Sequence, residues 1–337
     1  MKVLGIETSC DECAAAVVED GRKILSNRVA TQIDLHREYN GVVPEIASRI
    51  HTEWIRPVVA EALAEAGLKK EEIDAVAVTN RPGLIGSLLV GVNFAKSFAY
   101  ALKIPCVGVD HLRAHVYAAH LEQDIEYPYI GLLVSGGNTV LCEVHGFDNL
   151  IIHGTTIDDA VGEAFDKVAK FYDLGYPGGV AVDRLAKEGD PEAFVFPVPR
   201  LYKGEHPYDV SYSGLKNAVI NQRHQFLRPG AADTPANIAA SFQKRAIDIL
   251  LKKLFKLCND TGIKRVVAGG GVAANSYLRK EIAGRKDLSV IFPSLKLCGD
   301  NAAMVAGIGW HYLQRGDRDG LRLSACPRVS GFRKNYP

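Results

Sequence analysis

The feature that most constrains the fold is an order of strands and turns that occurs twice in the chain. Near the start, "VLGIE", a polar turn "TSCDE", "CAAAVVE" and a hairpin signal at Asp20 and Gly21 precede the strand-like "KILSNRVAT". From Tyr129 the same order returns as "YIGLLV", the glycine-rich turn "SGGNT", "VLCEV", the turn "HGFD" and "NLIIHGTT". The chain is therefore predicted to contain two copies of one architecture.

Each predicted three-strand group is followed by a further strand that runs into a glycine-bearing turn and a helix. The two segments are "DAVAVTNRPGLIGSLLVGVNFAKSFAYAL" and "KRVVAGGGVAANSYLRKEI". Amphipathic helices lie between the strands, such as "TEWIRPVVAEALAEAG", whose apolar residues follow helical spacing up to Gly67. This alternation predicts α/β layers arranged as two lobes with a central cleft.

Length and composition agree with such a protein. A chain of 337 residues exceeds one typical core, and 47% hydrophobic with 23% charged residues is ordinary for a globular protein. We found no apolar run approaching the roughly 18 to 20 residues of a membrane span. The first residues, "MKVLGIETSC", lack the apolar core of a signal peptide. We therefore expect a cytoplasmic protein without membrane association.

Cysteine usage and charge limit the classes of function. The seven cysteines are odd in number and scattered, which predicts reduced thiols, and the Cys10–Cys13 pair has no second such pair to complete a four-thiolate site. A net charge of +1 argues against indiscriminate nucleic-acid binding. A basic stretch near the end of the sequence is either a local patch or a solvated tail. It comprises Arg315, Arg318, Arg322, Arg328, Arg333 and Lys334 against Asp317 and Asp319.

The glycine-rich turn of the second repeat has the composition of a phosphate-binding turn. Gly136 and Gly137 allow backbone N–H groups to approach an anion, and Ser135, Asn138 and Thr139 add side-chain donors. An ordinary hairpin turn of turn-forming residues is the alternative.

The equivalent turn of the first repeat carries carboxylates instead. Asp11 and Glu12 would repel a phosphate directly, but they are able to hold a metal, orient a water molecule or accept a proton. An ordinary turn is again the alternative.

Three further segments resemble ligand contacts. In "TTIDDAVGEAFDKVAK", Asp158 or Asp159 is the expected N-cap of a helix that carries Glu163 and Asp166. In "LGYPGGVAVDRLAK", two glycines including Gly179 are expected before a helix that carries an aspartate one turn in.

That aspartate, Asp183, is a candidate for binding ribose hydroxyls. In "AGGGVAANSYL", Gly269 to Gly271 and Asn275 form a strand-to-helix turn that suits a nucleotide base or sugar. Such turns also serve close strand-to-helix packing, so each of these signals is weak alone.

The stretch "VDHLRAHVYAAH" contains a candidate metal site. His111 and His115 follow Asp110, an aspartate suited to capping a helix, and are four residues apart, which places both imidazoles on one face of that helix. Hydrogen-bonded structural histidines are the alternative. A zinc-protease helix requires glutamate after the first histidine, where this chain has Leu112. Asp300, in "KLCGDNAAMVAG", is a candidate third ligand from across the cleft, giving a two-histidine, one-carboxylate site.

Taken in order, these motifs resemble one known family over essentially the whole chain. The segments "GIETSCDE", "GVVPEIASRIH", "RPGLIGSLLVG", "LLVSGGNT", "DDAVGEAFDKVAK", "SYSGLK", "GGGVAANSYLR" and "CGDNAAM" are similar to those of the bacterial TsaD family. Its relatives in archaea and eukaryotes are the Kae proteins, and it was formerly described as an O-sialoglycoprotein endopeptidase. The resemblance implies the actin-like fold of sugar kinases and Hsp70, with lobes expected at 1–115 plus 305–337 and at 116–304.

The resemblance also implies an activity and a set of site residues. Family members transfer a threonylcarbamoyl group from threonylcarbamoyl-adenylate to N6 of the adenosine that follows the anticodon in tRNAs reading codons that begin with A. His111, His115 and Asp300 match the ligands of a divalent metal, Fe²⁺ or Zn²⁺, and Asp11 and Glu12 match acidic residues needed for activity. The adenylate contacts match Val134, Ser135, Gly136, Gly137, Asn138, Asp166, Gly179, Asp183 and Asn275.

The implied partners are tRNA, a shorter paralogue (TsaB) that forms a heterodimer, and a P-loop ATPase (TsaE). Two positions depart from the family pattern: Arg81 stands where glycine is common, and Asn138 where many bacterial members have histidine. Two other classes stay open. A metalloprotease is favoured by the histidine pair, and an actin-like ATPase or sugar kinase is favoured by the phosphate-type turns.

Overall fold

The two repeats of the sequence form two five-stranded sheets in the computed structural model, which describes residues 1–39, 41–199 and 207–328. The strands of the first sheet are β1 (Lys2–Glu7), β2 (Glu12–Glu19), β3 (Lys23–Thr31), β4 (Ala75–Arg81) and β5 (Cys106–Asp110). Those of the second sheet are β6 (Tyr129–Val134), β7 (Thr139–Val144), β8 (Leu150–Thr155), β9 (Arg265–Gly269) and β10 (Ser289–Ile291).

Strand order and direction are the same in the two sheets. The first has the order β3-β2-β1-β4-β5 and the second, read from its other end, has the order β8-β7-β6-β9-β10. In each, the first three strands form an antiparallel meander, and the fourth strand pairs in parallel with the first. The predicted duplication is therefore confirmed.

Helices connect the strands and cover the sheets. The first sheet is accompanied by α1 (Ile33–Arg37), α2 (Pro44–Glu65), α3 (Ile85–Leu102), α4 (His111–Tyr117), α10 (Leu295–Cys298) and α11 (Ala302–Arg315). The second is accompanied by α5 (Val161–Phe171), α6 (Gly178–Leu185), α7 (Ser213–Asn221), α8 (Pro235–Thr261) and α9 (Ser276–Ala283).

The central strand β1 is covered on both faces. Because side chains alternate along a strand, Leu4 and Ile6 face the core formed with α2 and α3, where they pack with Val58 and Val92. Gly5 faces the opposite side, where α11 packs so closely that a Cβ atom at this position would lie 2.2 Å from the carbonyl oxygen of Ala302. The glycine thus permits the close approach of α11, the helix that follows Asp300 in the chain.

The chain divides into two units, and their boundaries differ from those expected from the sequence. The first unit contains residues 1–126 and 293–328, and the second contains Tyr127–Phe292. Residues 116–126 and 293–304 belong to the first unit, where the earlier segment contacts both the later segment and α11. The Glu122 Oε2 atom accepts a hydrogen bond from the Ser294 backbone N–H at 2.8 Å, and the Tyr117 hydroxyl lies 2.9 Å from Nε2 of His311 on α11.

Helix α3 has the length and composition of a membrane span, which we did not anticipate from the sequence. It has 18 residues, a third of which are buried, and no other helix in the described ranges meets both criteria. Core helices of soluble proteins pass the same test. Helix α3 buries Leu88, Val92 and Ala95, and most of its contacts are with α2 and β4 of the first unit.

His120 is a half-buried histidine at the end of the segment that begins with α4. Its ring stacks on that of Tyr117, with centroids 5.1 Å apart and planes 9° apart. Burial, with a smaller contribution from His311, lowers the pKa of His120 from 6.5 to about 4. The unfolded chain therefore binds a proton at His120 at a pH where the folded protein does not, so that stability falls as the pH drops from 6.5 toward 4.

We expect the His120→Asn variant to lose less stability than the parent when the pH is lowered from 7.5 to 5. Both tryptophans of the chain, Trp54 and Trp310, belong to the first unit. Urea unfolding monitored by tryptophan fluorescence therefore reports on the unit that contains His120. A variant of the exposed His224 serves as the control. An equal loss in the parent and the His120→Asn variant would contradict this assignment.

Candidate functional site

The candidate metal ligands are positioned by the strand-to-helix turn from β5 to α4. Asp110 ends the strand and caps the helix, because its Oδ1 atom accepts hydrogen bonds from the backbone N–H groups of Leu112 at 3.0 Å and Arg113 at 3.2 Å. His111 and His115 follow on one face of the helix, both buried, with their rings edge to face at 4.5 Å. The predicted helix with an aspartate cap is confirmed.

Asp300 completes the group. Its Oδ1 atom lies 2.9 Å from Nε2 of His115 and 3.5 Å from Nε2 of His111, so both imidazoles face the same carboxylate oxygen. One ligand atom from each of the three residues lies within 4.8 Å of the others. We expected Asp300 to come from the opposite lobe, and this was wrong: the three side chains belong to the same unit, because the turn before α11 is part of the first unit.

The residues of this triad fit a divalent cation. Two imidazole nitrogens and one carboxylate oxygen form a donor set used for Fe²⁺ and Zn²⁺. The side chain of His115 is 1% exposed, and its Nδ1 atom has no hydrogen-bond partner among the described residues. Apart from this triad, the described residues contain no group of three or more histidine, cysteine and acidic side chains with ligand spacing.

The charges around the triad favour a cation. Burial opposes charge on His111, but the negative charges of Asp300 and Glu7 outweigh it and raise the pKa of His111 to about 9. Burial likewise opposes charge on Asp300, whereas the charge of His111 and the hydrogen bond to His115 lower its pKa to about 2. In the metal-free protein a proton on His111 thus balances part of the carboxylate charge, and a bound metal ion would take its place.

The acidic turn between β1 and β2 belongs to the same unit. Asp11 is 9% exposed, and its backbone carbonyl accepts a hydrogen bond from the backbone N–H of Gln32. Nε2 of His51 lies 2.9 Å from the carbonyl oxygen of Cys10, which ties the turn to α2. Burial, followed by the negative charges of Asp300 and Asp11, raises the pKa of Glu12 well above its usual range. The structure thus places this turn within the electrostatic influence of the candidate metal ligand Asp300.

The buried carboxylate beside the candidate metal ligands, Glu7, was not singled out from the sequence. It ends the apolar strand β1, is 0% exposed, and its Oε2 atom lies 2.9 Å from Nδ1 of His111. The only signal in the sequence is a charged residue at the end of a buried run.

In the second unit, the glycine-rich turn follows β6, which ends at Val134. The Ser135 backbone N–H donates to the carbonyl of Asn138 at 2.8 Å, and the Asn138 N–H donates to the Ser135 hydroxyl oxygen at 3.2 Å. Gly136 and Gly137 are exposed at the tip, and a Cβ atom at either position would meet no described atom within 4 Å. The turn is closed by its own hydrogen bonds, and its glycines leave room for a ligand.

Two other glycine segments pack against this turn. A Cβ atom at Gly162 would lie 2.5 Å from the carbonyl oxygen of Ser135, and one at Gly270 would lie 2.3 Å from that of Val134. Gly270 also has a φ of +88°, which L-residues with side chains rarely adopt. The start of α5, the end of β6 and the turn after β9 therefore meet at one place in the second unit.

The remaining predicted contacts of the second unit lie at helix starts. Asp166 Oδ1 accepts a hydrogen bond from the Gly178 N–H at 2.9 Å, and Gly178 is packed against Asp166 whereas Gly179 is open. We expected these glycines to precede the helix, but α6 begins at Gly178, since Pro177 occupies the N-cap position.

Asp183 and Asn275 are linked through the start of α9. Asp183 Oδ1 accepts hydrogen bonds from the backbone N–H and hydroxyl of Ser276, at 3.0 and 2.7 Å. Asn275 caps α9 through its Oδ1 atom, and its Nδ2 donates to Gln243 Oε1 at 2.8 Å. Both side chains therefore have a structural partner at the place where a ligand is expected.

The predicted N-cap of α5 was wrong. The N-cap is Ala160, because both aspartates bind other groups. Asp158 accepts hydrogen bonds from the Tyr212 N–H and the Ser213 hydroxyl, at 2.8 and 2.7 Å, and Asp159 pairs with lysines of α5 and α7. The two named partners of Asp158 are 54 and 55 residues away along the chain, so local sequence could not reveal them.

Several positions singled out in the sequence have structural partners. Nε of Arg81 lies 3.5 Å from Oδ2 of Asp110, the cap of the metal-ligand helix. In the basic stretch, Arg315 pairs with Asp317 and Arg318 donates to the carbonyl of Leu313. Arg333 and Lys334 lie outside the described residues.

Comparison with known proteins gives the family. The family model described as tRNA N6-adenosine threonylcarbamoyltransferase matches residues 23–307. A protein of that name from Treponema denticola is 64% identical over 334 residues, which is 99% of each chain, and one from Borreliella afzelii is 50% identical over 100% of this chain and 96% of its own.

Solved structures that are similar have the actin-like fold. The HypF protein of T. kodakarensis has a TM-score of 0.63 at 16% identity, covering 93% of this chain and 48% of its own. The ROK hexokinase of Thermus thermophilus has a TM-score of 0.51 at 17% identity, covering 94% and 100%. The predicted actin-like fold is confirmed, and the full-length matches show that this chain belongs to the tRNA N6-adenosine threonylcarbamoyltransferase family.

Proposed function

We propose that this chain transfers the threonylcarbamoyl group of threonylcarbamoyl-adenylate to N6 of the adenosine next to the anticodon, in tRNAs that read codons beginning with A. The main support is the convergence of His111, His115 and Asp300 in a chain that is 64% identical to a named threonylcarbamoyltransferase. The acidic turn at Asp11 and Glu12 belongs to the same unit.

The reaction needs no covalent intermediate with the protein. The donor is a mixed anhydride with a good leaving group, so the chain must orient donor and amine and stabilise the charge that develops on the carbonyl oxygen. The N6 nitrogen forms a bond to the carbamoyl carbon, the bond to the phosphate oxygen breaks, and AMP leaves. One proton is lost from the amine.

His111, His115 and Asp300 would hold the metal ion, which we propose to be Fe²⁺ or, alternatively, Zn²⁺. When bound, the ion would supply a Lewis acid for the carbamoyl oxygen or a coordination position for the threonyl group. Because the three residues offer one ligand atom each, positions on the ion would stay open for the donor.

We assign the adenylate part of the donor to the second unit. The backbone N–H groups of the exposed Gly136 and Gly137 are suited to the phosphate, and Val134, Ser135 and Asn138 shape the turn. Gly179 offers open space, and Asp166 positions it through Gly178. The remaining contacts are Asp183, for the ribose hydroxyls, and Asn275.

Partners are part of the proposal. The family acts on tRNA, and a net charge of +1 favours tRNA binding in a complex over binding by this chain alone. We propose a heterodimer with the shorter paralogue TsaB and the participation of the P-loop ATPase TsaE, in the cytoplasm. A separate synthase would supply the adenylate.

The test is a transfer assay. Purified protein is incubated with threonylcarbamoyl-adenylate and unmodified tRNA, with and without the two partner proteins, and the digested nucleosides are analysed by mass spectrometry. Threonylcarbamoyladenosine is the expected product. Its absence with all partners present would overturn the proposal. Steady ATP turnover without tRNA would then favour a kinase-like activity, and metal-dependent cleavage of a glycoprotein would favour a protease.

We expect the Asp11→Asn and Glu12→Gln variants to separate two roles within the acidic turn. The variant that lacks the proton acceptor should lose roughly 100-fold or more in kcat, because general base catalysis typically contributes about 10²- to 10⁴-fold. The other variant should retain a larger share of kcat. Single-turnover rates across a pH series measure the loss in each variant. The control is Asp34→Asn, because the carboxylate of Asp34 is exposed. Parental rates in both variants would exclude the turn from the reaction.

A further inference from the structure

Glu7 lies directly behind the candidate metal ligand His111. Its side chain is 0% exposed, and both carboxylate oxygens have partners. Oε1 accepts a hydrogen bond from the Ser9 backbone N–H at 2.6 Å, and Oε2 accepts one from the Thr79 hydroxyl at 2.6 Å. The same Oε2 atom lies 2.9 Å from Nδ1 of His111. The carboxylate is thus held by the turn after β1 and by β4, and one of its oxygens faces the imidazole.

This arrangement determines which nitrogen carries the proton when the His111 ring is neutral, as it is when it binds a metal ion. A carboxylate oxygen can only accept, so Nδ1 must donate to Oε2. The unprotonated nitrogen of the neutral ring is then Nε2, which faces Asp300 and His115. Metal-bound histidines usually donate their second ring N–H to a carboxylate, carbonyl or water in this way.

His115 lacks such support. Its Nε2 atom also faces Asp300, at 2.9 Å, but its Nδ1 atom is buried without a hydrogen-bond partner in the described ranges. Of the two imidazoles, only His111 is therefore fixed by a buried carboxylate. The other ring is held by packing on α4 and by its contact with Asp300.

We propose that Glu7 is the positioning residue of the metal centre: its carboxylate holds His111 as the Nδ1–H tautomer and so presents Nε2 to the ion. This inference rests on the metal centre of the proposed function, and it assigns a role to a residue that binds neither metal nor substrate. Glutamine at this position has the same shape, but it cannot accept hydrogen bonds at both ends from Ser9, Thr79 and His111. Its amide would favour the opposite tautomer of His111.

The first measurement needs no variant of Glu7. Long-range ¹H–¹⁵N correlation spectra of the full-length protein loaded with Zn²⁺ report which imidazole nitrogen is metal-bound and which carries hydrogen, with His111→Ala used for assignment. We expect His111 to carry hydrogen on Nδ1 and to bind through Nε2. Hydrogen on Nε2 would overturn the proposal.

The second measurement is the affinity for Zn²⁺, determined by chelator competition. Glu7→Gln is expected to weaken binding roughly 10- to 100-fold, as is typical when the partner of a ligating histidine is removed. Asp209→Asn is the matched control, since Asp209 is also a fully buried carboxylate, located in the second unit, that accepts a backbone N–H. Its affinity should equal that of the parent.

The outcomes separate the two proposals. If His111→Ala binds Zn²⁺ as well as the parent does, the metal centre itself is wrong, and the role of Glu7 with it. If His111→Ala loses binding and Glu7→Gln retains it, only the inference about Glu7 is overturned. Should Glu7→Gln fail to fold, Thr79→Val removes the hydroxyl that holds Oε2 and is expected to weaken binding in the same direction, by less. Parental affinity in that folded variant would count against the proposal.

Discussion

The Asp300→Asn variant is expected to lose more than about 100-fold in metal affinity. Removing only the hydrogen-bond partner of a metal ligand typically lowers metal affinity roughly 10- to 100-fold, and Asp300 is proposed to be a ligand itself. The reason is geometric and electrostatic. Oδ1 of Asp300 is the atom that both His111 and His115 face, and it is the anionic member of the triad. An amide keeps the shape of the side chain and removes its charge, so the effect reports on the ligand role.

The measurement combines metal content after dialysis with the transfer assay on the same preparation. Formation of threonylcarbamoyladenosine should fall to background together with the metal. Asp287→Asn is the control, because Asp287 is a surface carboxylate of the second unit that pairs with Arg285. Full activity in a metal-free Asp300→Asn protein would show that the triad binds an ion without serving the reaction.

Replacing Gly137 by valine is expected to lower kcat/KM for threonylcarbamoyl-adenylate by about 100-fold, the cost of displacing a bound reactant by about an ångström. The φ of Gly137 lies outside the left-handed region, and a Cβ atom there meets no described atom within 4 Å, so the free protein has space at the point where the side chain begins. The valine side chain would occupy the space in front of the turn that we assign to the phosphate. Thermal stability should therefore be unchanged while donor binding is lost.

Gly162→Ala tests the opposite case. Its Cβ atom would lie 2.5 Å from the carbonyl oxygen of Ser135, so the backbone must shift, at a cost of about 1 to 3 kcal/mol. Calorimetric melting of the two variants distinguishes a glycine needed for packing from one needed for a ligand. If Gly137→Val binds the donor normally, the turn does not contact the phosphate.

Much of the fold was predictable because its signals are local. Apolar runs bounded by polar or glycine-rich turns predicted the strands of both meanders, and their recurrence predicted the duplication. The i, i+4 spacing of His111 and His115 behind a capping aspartate predicted a helix with both rings on one face. These features depend on neighbouring residues, so they are readable from sequence.

Other features were decided by residues far apart in the chain. Asp158 is a residue type that commonly caps helices, but its carboxylate instead accepts hydrogen bonds from Tyr212 and Ser213, 54 and 55 residues away. Likewise, Glu122 accepts a hydrogen bond from Ser294, 172 residues later in the chain. Contacts of this kind explain why both observed unit boundaries differ from the expected ones. Local propensity cannot predict such competition, because the winning partner is absent from the local sequence.

The sequence by itself thus determined the repeated strand order, the helix that carries the two histidines and the glycine-rich turns. The tertiary structure alone decided that Asp300 joins the histidines within one unit and that Glu7 lies behind His111. The physical reason is that a buried carboxylate is stable only where donors surround it, and the donors of Glu7 come from three separate segments, at Ser9, Thr79 and His111.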